Sequence, residues 1–297
     1  MTVFLPLSAV QWVMRVVQEQ VVHPDRAFRY LRFESDAFRG DRHRHRQREL
    51  TWIEAGVGMR FVGDAVEPFG PGDVVLLGSN VPHGWVSARR GAPRHVAATV
   101  VQFAPELLAD PMLPELARVV PLAARASVGL HVQGRTLRDV TRALARMRSI
   151  GPVARLAVLI EVLGILEEHA DELRPIASNA MPGATRADAA IPGKRRIDVT
   201  IDWIHRHLAR ELRVVDLARV AHVTPAAFSR FFRREVGKTF TRYVNDLRCG
   251  EACLRLQISD RPISAIAREC GFATLSHFNR QFRLRYGMTP GRYRSRR

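Results

Sequence analysis

The sequence predicts an α+β protein of two domains, a β-barrel with trailing helices followed by an all-α domain built on a duplicated helix pair. Three features of the chain point that way. Residues 28–103 hold short alternating or β-branched runs, punctuated by Gly, Pro and Asp at intervals of about ten residues, which is the spacing of an antiparallel barrel or sandwich. Residues 194–297 carry 23 Lys and Arg against 9 Asp and Glu, a net +14, whereas residues 1–193 carry 23 against 20, a net +3. Within the basic third, one pattern of apolar and small residues occurs twice, at an offset of 49 to 50 residues.

At 297 residues the chain has room for two domains, and its 46% hydrophobic content excludes disorder as the dominant state. The longest apolar stretch, Val153 to Leu166, is broken by Arg155 and Glu161. It falls short of the ~18 to 20 residues that cross a bilayer, so no membrane span is expected. The opening MTVFLPLSAVQW has no basic residue before its apolar part and no clear cleavage site, so a secretory signal is not expected either. Three cysteines, Cys249, Cys253 and Cys270, cannot build a disulfide framework and read as small buried hydrophobes in a reducing cytoplasm.

So basic a domain repels itself unless it meets a polyanion, which makes nucleic acid the first partner to consider and anionic membrane the second. The charges sit singly among apolar residues at helical spacing, which argues against a basic tail or an amphipathic membrane helix. A folded nucleic-acid-binding domain is the expectation.

The strand-like runs are FRYLRFES, ELTWIEA, DVVLLG and HVAATVVQF. In GDRHRHRQREL a period of two places His43, His45, Gln47 and Glu49 on one face, inside a barrel, and Arg42, Arg44, Arg46 and Arg48 on the other, in water. From about Leu137 to Leu173 the pattern is helical, in two segments separated by Gly151 and Pro152. The second, VARLAVLIEVLGILEEH, is apolar on most of its circumference and must be buried against the barrel, a second subunit, or both, so a homodimer is expected. The Pro- and Gly-bearing stretch 174–196 reads as a linker, leaving domains at 1–173 and 197–297.

In the repeat, Leu217-Ala218-x-x-Ala221, Val223, Thr224 and Phe228-Ser229-Arg230-x-Phe232-Arg233 with Gly237 recur as Ile266-Ala267-x-x-Cys270, Phe272, Thr274 and Phe278-Asn279-Arg280-x-Phe282-Arg283 with Gly287. Each copy fits a helix, a tight turn and a second helix: Ala218 or Ala267 permits a close crossing, and Gly237 or Gly287 takes the left-handed terminus. Thr224 before Pro225 is a good N-cap. Phe240, Tyr243, Val244, Leu247, Glu251 and Leu254 share helical spacing, so Thr239 to Leu256 forms one connecting helix of roughly 27 Å. That is near the ~34 Å of one DNA turn and would set the two second helices in successive major grooves. Gly250 within it costs ~1 kcal/mol relative to Ala and marks a flexible or closely packed point.

With RPISAIARECGFATLSHFNRQFRLRYGMTPGRYR closing the pattern, the stretch from Ile197 to Arg294 resembles the AraC/XylS family of transcriptional regulators. The resemblance implies a two-headed reader of double-stranded DNA, with the second head also commonly near RNA polymerase. It maps base-contacting positions onto Ala226, Ser229 and Arg230 and onto Leu275, Ser276, Asn279 and Arg280. Helix geometry independently turns outward Ala226, Ala227, Ser229, Arg230 and Arg233, and Leu275, Ser276, His277, Asn279, Arg280 and Arg283. Arg230 and Arg280 suit guanine and Asn279 adenine; a phosphate contact is the even alternative for any one Arg.

Upstream, His43, His45, Glu49 and Gly56, then Pro71-Gly72-Asp73 and Pro82-His83, resemble the two cupin motifs H-x-H-x(3)-E-x(6)-G and PGD-x(8)-PH. The resemblance implies a cupin-like sensor domain in which His43, His45, Glu49 and His83 either ligate Zn, Fe, Mn or Ni or hold a small organic effector without metal. Trp52, Phe61 and Trp85 would line its pocket or belong to the core. Two rival readings are a metal-dependent cupin enzyme, which leaves the basic duplicated unit without a purpose, and an architectural DNA-binding protein, which leaves the barrel without one.

Overall fold

The structure, a computed structural model, describes residues 17–19, 27–39, 42–87, 95–177 and 192–295. Two sheets form the N-terminal barrel. Sheet A runs β1 (Val17–Gln18), β3 (His43–Arg44), β8 (His83–Ser87), β5 (Gly58–Val62) and β6 (Ala65–Phe69). Sheet B runs β11 (Leu173–Pro175), β10 (Leu130–Val132), β7 (Val74–Leu77), β4 (Arg48–Ala55), β9 (Val96–Phe103) and β2 (Phe28–Ser35). All pairs are antiparallel except β1 with β3. The four strands expected from the sequence are present as β2, β4, β7 and β9; β5, β6, β10 and β11 had no sequence signal strong enough to single them out.

Alternation assigns the side chains. Ile53, Val75, Leu77, Trp85 and Ala98 pack together in the lumen. Their neighbours Leu50, Val74, Leu76 and Val101 face outward onto a helical layer. This layer is α1 (Val120–Arg125), α2 (Gly134–Arg146) and α3 (Pro152–Glu168), whose Val140, Leu144, Val158, Leu159, Val162, Leu163 and Leu166 complete the core. With both faces of sheet B buried, β7 and β9 read as nearly unbroken apolar runs. The barrel accounts for much of the apolar circumference of α3, yet Val153 in its first turn stays 85% exposed.

Where the edge of sheet A meets the edge of sheet B, charges close the seam. Arg60 on β5 bonds Asp73 and, at 2.7 Å, Glu67 on β6. Arg174 on β11 reaches the same Glu67 at 2.7 Å, and His131 on β10 lies 3.0 Å from Asp73. Burial raises the cost of ionising both carboxylates, but hydrogen bonds and the arginine charges outweigh it and hold both pKa values below the usual range. This seam corrects the linker boundaries. Arg174 and Pro175 pair with β10, the amides of Ile176 and Ala177 donate to Gly129 and Val128, and α4 (Pro192–His207) already begins at 192. The linker read as 174–196 is thus shorter at both ends. Residues 178–191 lie outside the described residues, as does the opening segment read for a signal.

The C-terminal domain follows as α5 (Val214–Val220), α6 (Pro225–Val236), α7 (Phe240–Ile258), α8 (Ile263–Glu269), α9 (Leu275–Tyr286) and α10 (Pro290–Arg294). The duplication is visible in equivalent bonds: Val223 N donates to Ala218 O and Phe272 N to Ala267 O, each at 3.0 Å. The turn takes a positive φ at His222 in the first copy and at Gly271 in the second. Ala273 is the extra residue that shifts the offset from 49 to 50. Thr224, Thr239, Thr274 and Thr289 each cap a helix by accepting from the amide three residues on. Gly237 and Gly287 end α6 and α9 with φ of 74° and 69°. The three cysteines are free and buried, and burial pushes the Cys249 and Cys253 thiols up to about 12. No helix among the described residues is long and apolar enough to cross a membrane.

The connecting helix α7 has 19 residues and lies against sheet A. Leu254 packs with Met59, Phe61 and Val86 of the barrel, and a Cβ built on Gly250 would stand 3.0 Å from Val66. Of the two meanings a glycine here allowed, close packing is the one realised. Beside it, His205 on α4 is buried and its Nε2 lies 3.1 Å from the Tyr243 hydroxyl. Burial first, then the charges of Arg42 and Arg44, push the His205 pKa down from its ordinary 6.5 to about 3.

Because that folded pKa lies below the unfolded one, the unfolded chain binds the proton first as pH falls, and stability is lost downward from pH 6.5. Between pH 6.5 and 5, where most carboxylates remain ionised, the slope from this proton approaches ~1.4 kcal/mol per pH unit. Urea unfolding across that window should show it, and His205→Gln should flatten it; an identical slope in the variant would rule out His205 as the titrating group.

Candidate functional site

At one mouth of the barrel, three strands converge four donors. His43 and His83 face each other directly across β3 and β8, and Glu49 enters from the start of β4. His45 lies in the short break between β3 and β4, so the single continuous strand expected from His43 to Glu49 is instead two strands and a bend. The ligand atoms of His43, His45, Glu49 and His83 all lie within 4.8 Å of one another; His43 is half-buried and the others are buried. His45 Nε2 is 2.9 Å from Glu49 Oε2 and His83 Nε2 is 3.5 Å from Glu49 Oε1.

The backbone orients the rings. His45 Nδ1 lies 3.1 Å from Gln47 O and His83 Nδ1 2.8 Å from Val81 O. An N–H on each Nδ1, donating to those carbonyls, turns both Nε2 atoms toward Glu49 and the centre of the mouth, the arrangement by which outer carbonyls fix metal-binding imidazoles. Thr51 Oγ1 donates to Glu49 at 2.6 Å, and Gln102 Nε2 donates to it at 3.0 Å. Burial opposes charge on Glu49 and on His83 alike, but each stabilises the other. Glu49 is accordingly held well below the carboxylate range and His83 is raised. His83 Nε2, Trp85 Nε1 and Gln102 Oε1 are buried without hydrogen-bond partners. Such atoms are costly unless something polar meets them. A hard-to-intermediate divalent ion fits the imidazole and carboxylate donors, and a small polar molecule fits the remaining donors and acceptors.

Several expectations for this region need correction. Gln47 lies half-buried in the bend, and Gln102, a polar residue at a lumen position of the apolar run HVAATVVQF, enters the mouth although the sequence did not single it out. Arg42 and Arg48 are buried rather than in water, because the outer face that carries them is itself covered by other parts of the chain. Arg42 lies over the Phe61 ring at 5.1 Å, and Arg48 donates to Pro105 O at 3.0 Å. Arg44 is half-buried, while Arg46 stays exposed and pairs with Glu106. Trp85 lines the lumen, its ring 5.8 Å from that of His83. Trp52 and Phe61 do not: Trp52 points into the helical layer under Arg148, and Phe61 points to α7.

The second candidate surface is the helix-turn-helix face. Phe228, Phe231 and Phe232 anchor α6, and Phe278 and Phe282 anchor α9, all buried. This leaves Ala226, Ser229, Arg230 and Arg233 exposed on α6. On α9, Leu275, Ser276, Arg280 and Arg283 are exposed and Asn279 is half-buried. Ala227 and His277, also read as outward, are half-buried; His277 sets its ring edge against Phe272, 5.6 Å between centroids. Other arginines of the domain are paired, as Arg234 is with Glu235 and Arg261 with Glu269. Among the described residues no carboxylate neutralises Arg230, Arg233, Arg280 or Arg283. Between the two heads, a groove of about 520 Å³ along α7 is lined by Thr241, Asn245, Arg248, Arg268 and His277. Exposed, unneutralised guanidinium groups on two helix faces suit a polyanionic rod.

Comparison with known proteins agrees with this second surface. Residues 217–296 match the family model described as a helix-turn-helix domain. The probable transcriptional regulator LumQ of Photobacterium leiognathi is 32% identical over 148 residues, covering 47% of this chain and 60% of LumQ. The transcriptional activator RhaR of Mannheimia succiniciproducens is 21% identical over 256 residues, 86% of this chain and 87% of RhaR. A solved transcriptional regulator from Chromobacterium violaceum, described as having an AraC-type DNA-binding domain, aligns at 23% identity and a TM-score of 0.33, covering 35% of this chain and 92% of that one. The match spans three-fifths or less of the first relatives, 60% of LumQ and 40% of the Bacillus subtilis regulator YobQ. The C-terminal third of this chain carries a helix-turn-helix domain.

Proposed function

We propose that the chain is a sequence-specific, DNA-binding transcriptional regulator of the AraC/XylS type, controlled by a small ligand at the barrel mouth. The observation that carries this is the duplicated helix-turn-helix unit, which exposes two arginine-bearing helices joined through one connecting helix. Their relatives are transcriptional regulators and activators, which supports a non-enzymatic role. Such a protein works on the nucleoid in the cytoplasm, and contact with RNA polymerase by the second head belongs to the same reading. The metal-dependent enzyme reading draws only on the four-donor mouth. It leaves the basic domain idle, so the mouth is best read as a sensor whose occupant is a polar organic effector, a divalent ion, or an effector held by one.

Genome-wide footprinting with the purified protein, followed by a ligand screen on the recovered promoter, tests the whole reading; protection of discrete sites that responds to a ligand supports it, and uniform coating of DNA overturns it. At a recovered site, Arg280→Ala should weaken binding by ~1 to 3 kcal/mol and relax preference at one base pair, whereas Arg283→Ala should weaken all sequences alike. Equal losses on specific and random DNA for Arg280→Ala would make it a phosphate contact.

For the sensor, His45→Ala or His83→Ala should remove the ligand response while the full chain still binds DNA. A metal assay of the purified wild type and variants separates an ion from an organic effector. A wild-type ligand response in both folded variants would place the sensing site elsewhere.

The apolar α3, with Val153 and Ala157 on its exposed side, supports dimerisation through the N-terminal domain. Sedimentation of the full chain at tens of micromolar should show a dimer that Val153→Glu weakens; a strict monomer would end that part of the reading.

A further inference from the structure

The turn between β5 and β6 holds the ends of both recognition helices at once. Asp64 in that turn accepts from Lys238 Nζ at 2.6 Å, and its backbone carbonyl accepts from Arg285 Nη2 at 2.5 Å. Lys238 directly follows Gly237, the residue that ends α6, and Arg285 lies in the last turn of α9. Asp246 on the connecting helix α7 completes the junction, bonding Lys238 at 2.6 Å and Arg285 at 2.7 Å. Asp64 and Lys238 are buried, with relative exposures of 6% and 9%. One barrel turn therefore ties together the C-terminal ends of two helices that belong to different heads.

The same turn adjoins the mouth. Val62 pairs in register with His83, and Gly63 N donates to Pro82 O at 2.8 Å. Arg42, the residue before His43, donates to Gly63 O at 3.5 Å. Burial pushes the Arg42 pKa down, and Glu251 and Tyr243 of α7 oppose that shift only in part. Two of the four mouth donors, His43 and His83, are thus one residue or one strand pairing away from the turn that grips the DNA-binding domain. Beside the grip, a cleft of about 800 Å³ lined by Val66, Glu67, Arg242 and Asn245 leaves room for relative movement.

We infer that Asp64 is a positioning residue: it sets the relative angle of the two recognition helices and passes the state of the barrel mouth to them. This rests on the regulator reading above and adds the route of control. When His83 or His43 shifts to meet a ligand, the Gly63-Asp64 turn moves with it. Lys238 and Arg285 then carry the displacement to α6 and α9 together, so the spacing at which two major grooves are met changes while each head stays intact. The coupling is a difference in free energy between two arrangements of one interface, not a change in either binding surface.

The test uses the full chain on an operator recovered by footprinting and on the same operator with base pairs inserted between its two contacted grooves. Wild type should discriminate strongly between the two. Asp64→Asn should keep its affinity for the operator within a few-fold but lose most of that discrimination, and Lys238→Met should do the same from the other side of the bond. His83→Gln should change operator affinity by ~5-fold or more in the wild-type background, the lower range of site-to-site coupling, and by little in the Asp64→Asn background. His43→Ala replaces His83→Gln if the latter does not fold. Unchanged spacing discrimination in both clamp variants, or an equal His83→Gln effect in the two backgrounds, overturns the inference while leaving the regulator reading standing. Absence of any discrete wild-type footprint would overturn both.

Discussion

A sheet with two apolar faces needs a cover on each side, and that requirement organises the whole molecule. Sheet B is covered by its own chain, through α1 to α3, so the barrel and its helices form one packed body. Sheet A has no such local cover. Met59, Phe61 and Val86 on its outer face are buried by Leu254 of the connecting helix, and Val66 meets Gly250 there. The helix-turn-helix domain is thereby the outer layer of sheet A, and the helix that joins the two heads packs directly on the barrel.

Charge placement follows from the same contact. At the contact with the barrel and beneath α7 the cations of the basic domain are paired: Lys238 with Asp64 and Asp246, Arg285 with Asp246, Arg255 with Glu251 and Glu269. A buried cation without a partner is strongly destabilising, whereas an exposed one costs little and attracts phosphate. The exposed guanidinium groups of Arg230, Arg233, Arg280 and Arg283 are left for a partner. The same logic runs at the mouth, where Glu49 carries the negative charge and His83 and His45 surround it, with Gln102 and Thr51 filling its remaining acceptor sites.

The two heads are copies in architecture and unequal in chemistry. Both end on a left-handed glycine and both start on a threonine cap, but the first turn uses His222 where the second uses Gly271. The first presents Ala226 and Ala227 where the second presents Ser276 and His277. Alanine offers a base only apolar contact, so under the proposed reading hydrogen-bonded base discrimination falls to α9 and to Arg230 and Ser229 of α6.

The sequence by itself determined whatever depends on local periodicity. The two helix pairs of the repeat and their connecting helix, the Thr224 cap, the Gly237 and Gly287 ends, the four strongest strands and the set His43, His45, Glu49 and His83 were legible, because a 3.6- or 2-residue period and a short motif act over neighbouring positions. What pairs across the fold was not legible. Gln102 and Thr51 enter the mouth only because β9 and β4 lie side by side. Trp52 and Phe61 leave it because their strands turn those side chains outward. Arg42 is buried because a distant helix covers the outer face of its sheet. The linker edges and the Asp64 to Lys238 bond, 174 residues apart, belong to the same class. Burial and pairing across such distances are decided by which faces must be covered, and that is a property of the assembled layers rather than of any segment.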